Sequence, residues 1–494
     1  MSSPHPELFP DLVAGVERPA LRFGERSLTY AELAAAAGSL AARLDGGRRV
    51  AVWATPTVET AVAVLAALLA GAPAVPLNPK VGGQELEHIL TDSRPVAVLA
   101  AQEAELPGPL AEWTRIDVAT EAPTSAPSSA SAPAPSRPLP PEPDPDAPAL
   151  VVYTSGTTGP PKGAVLPRRA LAATLDALAD AWQWTAEDVL VHGLPLFHVH
   201  GLILGLLGPL RRGGELRHLG RFSVEGVTRE LAAGATMLFG VPTMYRRIAE
   251  ALPADRALAK ALAGARLLVS GSAALPVHDH DRITAATGCR VIERYGLTET
   301  LMNTSARADA RPRAGTVGVP LRGVELRLVD GTGAPIAGPD EVGEIQVRGP
   351  HLFTGYLNRP DATAEAFTDD GFFRTGDMAA HDRDGYVRIV GRKATDLISS
   401  GGHEIGAGEI ENTLLDHPGV REAAVTGEPD PDLGQRIVAW IVPYDPARPP
   451  GERELADHVA TRLAPHKRPR AVRYVGELPR DDMGKVMKRS LGQA

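Results

Sequence analysis

A chain of 494 residues is too long to fold around one core, so two or three domains are expected. Its formal net charge of -9 excludes nucleic acid and an anionic membrane as main partners, because both call for a basic surface. The single cysteine, Cys289, excludes an intrachain disulfide, no Cys/His spacing reads as a zinc site, and a reducing, cytoplasmic setting is expected.

The opening MSSPHPELFPDL lacks a basic start followed by an apolar stretch, so no signal peptide is expected. Thr29 to Glu32 has the pattern of a helix start, with Thr29 capping and Glu32 answering, ahead of an Ala-rich helix from Leu33 to Leu44. Arg49 to Trp53 reads as a buried strand. The apolar run Ala61 to Leu77 contains Gly71, Pro73 and Pro76, and reads as a buried helix turning into a strand rather than a membrane span. Helix-like and strand-like segments keep alternating, which predicts an α/β fold: a large N-terminal domain of stacked, mostly parallel sheets. Ala122 to Ala149 is dense in Ala, Pro and Ser and predicts a flexible surface loop. Past Gly391-Arg392 a complete small α+β unit follows: helix 408–416, strands 420–426 and 436–442, helix 452–463 and strand 471–475. The predicted division is 1–391 and 392–494, and no repeat of fixed period is present.

The densest chemical signal is the strand-and-loop Leu150 to Gly163. It places Thr154, Ser155, Gly156, Thr157, Thr158, Gly159 and Lys162 after an apolar strand. Glycines let a backbone approach phosphate, hydroxyls and N–H groups donate to its oxygens, and Lys162 adds positive charge. The spacing is not that of the GxxxxGK[ST] loop. A plain hydroxyl-rich turn is the bland alternative, and four hydroxyls in five positions speak against it.

This segment resembles the phosphate loop of the adenylate-forming superfamily of acyl-CoA synthetases, luciferases and peptide-synthetase adenylation domains. Four further segments agree in order: Arg294 to Thr300 (RYGLTET), Phe373 to Asp377 (FRTGD), the hinge Gly391-Arg392, and Leu478 to Lys485. The resemblance covers the whole chain. It implies ATP, Mg2+ and coenzyme A, an acyl-adenylate intermediate, and a mobile C-terminal domain. It further implies Glu299 as the metal ligand, Thr298 at the α-phosphate, and Asp377 and Arg392 at the ribose. Ser272, Ala273, Glu293, Arg294, Tyr295 and Gly296 are implied along the nucleotide, and Lys485 between carboxylate and ATP. Chemistry agrees, since a carboxylate attacking a phosphate needs cations around it, and a carboxylate can accept two ribose hydroxyls. Ser400, Gly401 and Gly402 resemble the loop that admits the thiol arm of CoA, against the plainer reading of a helix-start turn. The stretch after Arg392 is one residue longer than the family pattern, which leaves Lys393, Ala394 and Asp396 open as the hinge residue.

Arg294 stands where most such ligases carry a small residue, beside the acyl pocket. A buried Arg needs an anionic partner, which a second carboxylate on the substrate would supply. Together with Ser270 to Ala273, the string Glu293 to Ser305 closely resembles malonyl-CoA synthetases. Malonate or a 2-substituted malonate is therefore the expected acid, with Arg247 as a second grip on its free carboxylate and a structural salt bridge as the alternative for Arg294. His198 resembles the histidine walling the acyl pocket; His200 is expected to be a satisfied structural histidine. Two rivals lie within the class: a ligase for short or medium fatty acids, favoured by a pocket without a cation, and an enzyme that loads a carrier protein. A nucleotide-binding regulator without catalysis is the rival outside it, opposed by the presence of Lys485, Glu299 and Asp377. The segment ending at Lys485 also resembles one modified by protein lysine acetyltransferases, which implies such a partner.

Overall fold

The computed structural model describes residues 7–120, 139–154, 160–336, 338–393, 396–401, 403–481 and 484–492. Most of the predicted loop, residues 122–138, lies outside them.

Local signals act as the sequence predicts. Thr29 Oγ1 accepts from Glu32 N–H at 3.2 Å and Glu32 Oε2 accepts from Thr29 N–H at 2.8 Å, opening the helix Tyr30–Ala41. The long apolar run becomes helix Val58–Ala70, stops at Gly71 with φ 67°, and resumes as strand Ala74–Leu77. That helix touches strands of two sheets and is almost wholly buried, so it shares one core with both.

The first of these sheets has nine strands. Its central strands, Pro19–Phe23, Glu215–His218, Val189–His192, Met237–Gly240, Leu267–Ser270 and Val291–Tyr295, are parallel neighbours in that order. The second has seven strands, parallel from Pro148–Thr154 through Ala74–Leu77, Val50–Trp53 and Val98–Ala101 to Arg115–Val118. An antiparallel pairing joins Pro148–Thr154 to Lys162–Pro167, with Gly355–Tyr356 forming the edge beyond it. A third sheet, from Pro335–Ile336 to Val387–Arg392, is antiparallel throughout. The expectation of mostly parallel sheets holds for the first two. The third differs: its neighbouring strands run antiparallel, most of them joined by short turns, with one longer connection carrying Gly355–Tyr356 and the helix Pro360–Ala366.

The C-terminal unit has its own sheet and core. Strands Gly434–Pro443 and Val420–Asp430 pair along their length, with Leu397–Ser400, His403–Gly406 and Ala471–Tyr474 beside them, and helices Ala407–Leu415 and Glu452–Ala460 cover a core that includes Ile398, Ile410, Leu414, Val425, Ile437 and Leu455. The hairpin Leu397–Ser400 with His403–Gly406 is an addition to the elements read from the sequence. Among the described residues no helix is long and apolar enough to cross a membrane.

Two buried histidines lie under the first sheet. His218 Nε2 donates to Leu194 O and its Nδ1 accepts from Gly220 N–H, both at 2.9 Å; His192 Nδ1 accepts from Leu194 N–H at 3.0 Å. Each is thereby neutral. Burial pushes His218 down to about 4 and His192 well below its ordinary value. The unfolded chain takes up protons first, so this stability is present above pH 6.5 and is lost as pH falls toward 4. At about 1.4 kcal/mol per pH unit the loss from His218 alone is ~3 kcal/mol. The melting temperature should fall steadily across that window, and His218→Gln should melt lower at pH 7 with a flatter pH dependence.

Candidate active site

The hairpin brings Thr154 opposite Lys162, and Thr154 Oγ1 donates to Lys162 O at 3.4 Å. Ser155, Gly156, Thr157, Thr158 and Gly159 lie outside the described residues. Lys162 Nζ sits 4.6 Å from the centroid of the Tyr356 ring, and the Tyr356 hydroxyl donates to Glu299 Oε1 at 2.8 Å. Lys162 and Glu299, distant in sequence, are thus gathered on one aromatic ring. Tyr356 was not among the residues singled out in the sequence, although its Gly-Tyr pair follows an apolar strand in the same order as the other motifs.

Thr298 and Glu299 are half-buried in a tight loop that leaves strand Val291–Tyr295. A Cβ at Gly296 would lie 1.7 Å from Leu301 O, so this position admits no side chain. Leu301, fully buried, takes φ 50°, and Leu297 N–H donates to Thr300 Oγ1 at 3.3 Å. Strain of this sort persists only where surrounding packing enforces it.

Tyr295, Asp377 and Arg392 form one cluster. The Tyr295 hydroxyl donates to Asp377 Oδ2 at 2.6 Å and Arg392 Nε donates to Oδ1 at 2.9 Å. Each oxygen retains a further lone pair for a ligand hydroxyl. Burial first, then the Asp377 charge, pushes the Tyr295 phenol well above its ordinary range. Ser272, at φ 74°, and exposed Ala273 lie in the loop beside this strand. Glu293 braces that loop from within: its Oε2 accepts from Leu275 N–H at 3.0 Å, and burial pushes its carboxyl up to about 7. Its side chain is therefore a support beneath the loop.

Arg294 points to the opposite face of the strand. It is 5% exposed, and its Nε and Nη2 have no partner. The guanidinium lies flat against Gly271, where a Cβ would come within 2.2 Å of Arg294 Cζ. Burial lowers its pKa to about 10. His200, 2% exposed, also has both ring nitrogens without partners, and its ring lies 5.8 Å from that of Phe239. Burial, then the Arg294 charge, pushes its pKa well down. The expectation of a satisfied structural histidine is thus corrected. His200 begins a π-helix, His200–Leu207, whose backbone accounts for its own hydrogen bonds and leaves the ring unpartnered in the interior.

Arg247 is not brought to this pair. It is exposed on helix Pro242–Ala251, whereas its neighbour Arg246 turns inward to Asp279 Oδ2 at 3.6 Å. Adjacent helical side chains point about 100° apart, so the two arginines cannot share a face. His198 is half-buried, its ring 4.5 Å from that of Phe197.

The C-terminal domain reaches this region. A Cβ at Gly484 would lie 2.7 Å from Thr243 Oγ1, at the start of the helix that follows the Phe239 strand. Gly484 N–H donates to Asp481 O and Lys485 N–H to Asp481 Oδ1, both at 2.9 Å, which presents Lys485 exposed on a tight turn. Buried Ser400 and exposed Gly401, at φ 59°, reach the tip of the extra hairpin; Gly402 lies outside the described residues. Of the open hinge candidates, Asp396 closes a turn on Arg392: Asp396 N–H donates to Arg392 O at 2.8 Å, and Oδ2 accepts from Arg392 N–H at 3.1 Å. Lys488 Nζ holds Asp396 Oδ1 and Glu411 Oε1, each at 2.8 Å. Lys393 Nζ lies 3.6 Å from Glu344, and Ala394 falls outside the described residues.

Nucleotide-handling groups on a large domain, with a lysine delivered by a small one, are the division of labour of adenylate-forming enzymes. The chain belongs to that class through the AMP-binding enzyme family, whose pattern matches residues 13–357, while the AMP-binding enzyme C-terminal domain matches residues 409–485. It is an AMP-forming ligase. The malonate–CoA ligase of Arabidopsis thaliana is 36% identical over 475 residues, covering 90% of this chain and 78% of that protein. Among solved structures, a malonyl-CoA ligase in a ternary product complex with methylmalonyl-CoA and AMP is 73% identical, with a TM-score of 0.72, over 94% of this chain and 98% of the other. ATP-bound MatB from Rhodopseudomonas palustris is 35% identical, with a TM-score of 0.88, over 98% of each chain.

An unpaired buried guanidinium costs stability. Arg294→Met should therefore raise the melting temperature of the ligand-free protein, by about 2 °C or more. An unchanged or lower value in a thermal melt would show that Arg294 has a partner in solution.

Proposed function

We propose that the protein ligates malonate, or a 2-substituted malonate, to coenzyme A at the expense of ATP, with Arg294 and His200 holding the carboxylate that does not react. One observation carries the assignment: the guanidinium of Arg294 and the ring of His200 are both buried without partners, and the Arg294 charge is felt at His200, where a site for a fatty chain would be apolar. Two parallel hydrogen bonds from the guanidinium fix orientation as well as charge. The other carboxylate is thereby turned toward the α-phosphate. Its oxygen attacks that phosphorus as the bond to pyrophosphate breaks; the CoA sulfur then attacks the acyl carbon and AMP departs.

Roles follow from position. Thr154, Lys162 and the Ser155–Gly159 loop serve the β- and γ-phosphates, Thr298 donates to the α-phosphate, and Asp377 with Arg392 takes the ribose. Tyr295, Gly296, Ser272 and Ala273 border the base, supported by Glu293, and His198 walls the acyl pocket. Glu299 suits Mg2+: a half-buried carboxylate with one oxygen on Tyr356. Among the described residues no group of three or more ligating side chains exists, which fits a cation that arrives largely held by phosphates and water. Bound there, Mg2+ would offset phosphate charge during attack.

Lys485 serves adenylate formation, and the Ser400–Gly402 hairpin admits the thiol arm after the small domain turns about the Arg392–Asp396 segment, with the boundary at 391/392. Support comes from the overlays. The better match is to the ATP-bound enzyme at 35% identity, not to the product complex at 73%. Sequence distance does not explain such an inversion, and a rigid-body turn of the small domain would produce it. A cytoplasmic location is part of the same reading, in keeping with the lone thiol.

Removing the Arg would strand a buried carboxylate, a loss of about 3–5 kcal/mol. Arg294→Ala should lower kcat/KM for malonate by roughly two to four powers of ten, with a far smaller effect on butyrate. An unchanged malonate-to-butyrate ratio would reduce Arg294 to a structural residue. Lys485→Ala should abolish pyrophosphate exchange and spare thioester formation from supplied acyl-adenylate. Acetylation of the exposed Lys485 by a protein lysine acetyltransferase removes the same charge and should give the same split; loss of both half-reactions together would count against two orientations.

A further inference from the structure

We propose that Tyr356 is a positioning residue that sets the separation of Lys162 and Glu299, keeping the lysine and the glutamate apart until ATP and its metal arrive between them. The proposal rests on the assignment of those two residues to ATP and the metal. A half-buried Lys and Glu brought to one place would otherwise close on each other, and the incoming nucleotide would have to break their ion pair. The structure records no ion pair between them. Instead the ammonium sits over the face of the ring, 4.6 Å from its centroid, and the carboxylate accepts from the hydroxyl at 2.8 Å. One side chain thus engages a cation through its π-face and an anion through its O–H, two contacts that neither Phe nor Leu makes together.

The ring is itself fastened on every side. Tyr356 pairs with Ala164 on the strand that begins at Lys162, and Leu357 N–H donates to Gly163 O at 2.7 Å. Phe353 N–H donates to Glu299 O at 2.8 Å, so the segment also grips the backbone of the glutamate. Phe353 packs edge-on to the ring at 5.0 Å, and Tyr356 N–H donates to Thr363 Oγ1 at 2.9 Å. Residues 353–357 therefore act as a staple between the phosphate-loop hairpin and the Glu299 loop. Because Tyr356 occupies Glu299 Oε1, the carboxylate orientation is set in advance and its other oxygen is the one left for a metal. Partners of this kind behind a metal ligand change metal affinity by about 10–100-fold when removed.

The test uses the full chain with Tyr356→Phe, Tyr356→Leu and Glu299→Gln. Mn2+ binding is read by electron paramagnetic resonance in the presence of α,β-methylene-ATP, the KM for ATP by pyrophosphate exchange, and folding by thermal melts. Tyr356→Phe keeps the ring under Lys162 and should weaken Mn2+ binding roughly tenfold while the KM for ATP stays within about twofold. Tyr356→Leu removes both contacts and should weaken both. General destabilisation would not separate the two variants in this way. Wild-type Mn2+ affinity in Tyr356→Phe, with affinity lost in Glu299→Gln, overturns the positioning role. Wild-type affinity in Glu299→Gln overturns the metal assignment of Glu299 itself, and the Tyr356 role with it.

Discussion

A buried charge without a partner, the guanidinium of Arg294, is the constraint on which the interior of the large domain turns. An isolated cation at that depth is tolerated only where the surrounding frame cannot relax onto it or let water in. Strand Val291–Tyr295 supplies that frame by lying between Leu267–Ser270 and the short antiparallel strand Thr304–Ser305. Gly271 clears the space in which the guanidinium lies. On the proposed reading, an anionic ligand is what offsets this charge, and recognition of a short diacid would depend on the sheet that frames Arg294 as well as on Arg294 itself.

The same strand serves the nucleotide on its far end. Tyr295 reaches Asp377, and Arg392 closes the cluster from the last strand before the small domain. Asp396, four residues on, is tied both to Arg392 and to Lys488 near the C-terminus. Ribose site, hinge turn and C-terminal segment therefore form one chain of polar contacts. On the reading proposed above, nucleotide binding and a turn of the small domain would draw on the same residues.

Motifs and local periodicity carried much of this into the linear chain. The Thr29–Glu32 capping box, the helix-to-strand turn at Gly71 and the helices and strands of the C-terminal unit depend on interactions within a few residues, so they were legible in order. Lys162, Glu299, Asp377 and Lys485 stood out as candidates in the same way, since each sits in a short segment with a recognisable neighbourhood. Arg294 was legible for a different reason: a charged residue in an apolar strand is costly, and cost of that kind marks function.

What the sequence by itself determined was the set of elements, the class of reaction and the presence of a cation beside the acyl pocket, because backbone preference and side-chain chemistry are local. Tertiary structure alone decided which groups share that pocket. Arg247 and Arg246 differ only by which face of a helix they occupy, and packing sent Arg246 inward to Asp279. His200 became an unpartnered ring because a π-helix begins there and buries it near Phe239, and Tyr356 joined Lys162 to Glu299 because a two-residue strand docks on the hairpin that follows Thr154. Face, register and helix type are settled by contacts between segments far apart in the chain, and no local signal encodes them.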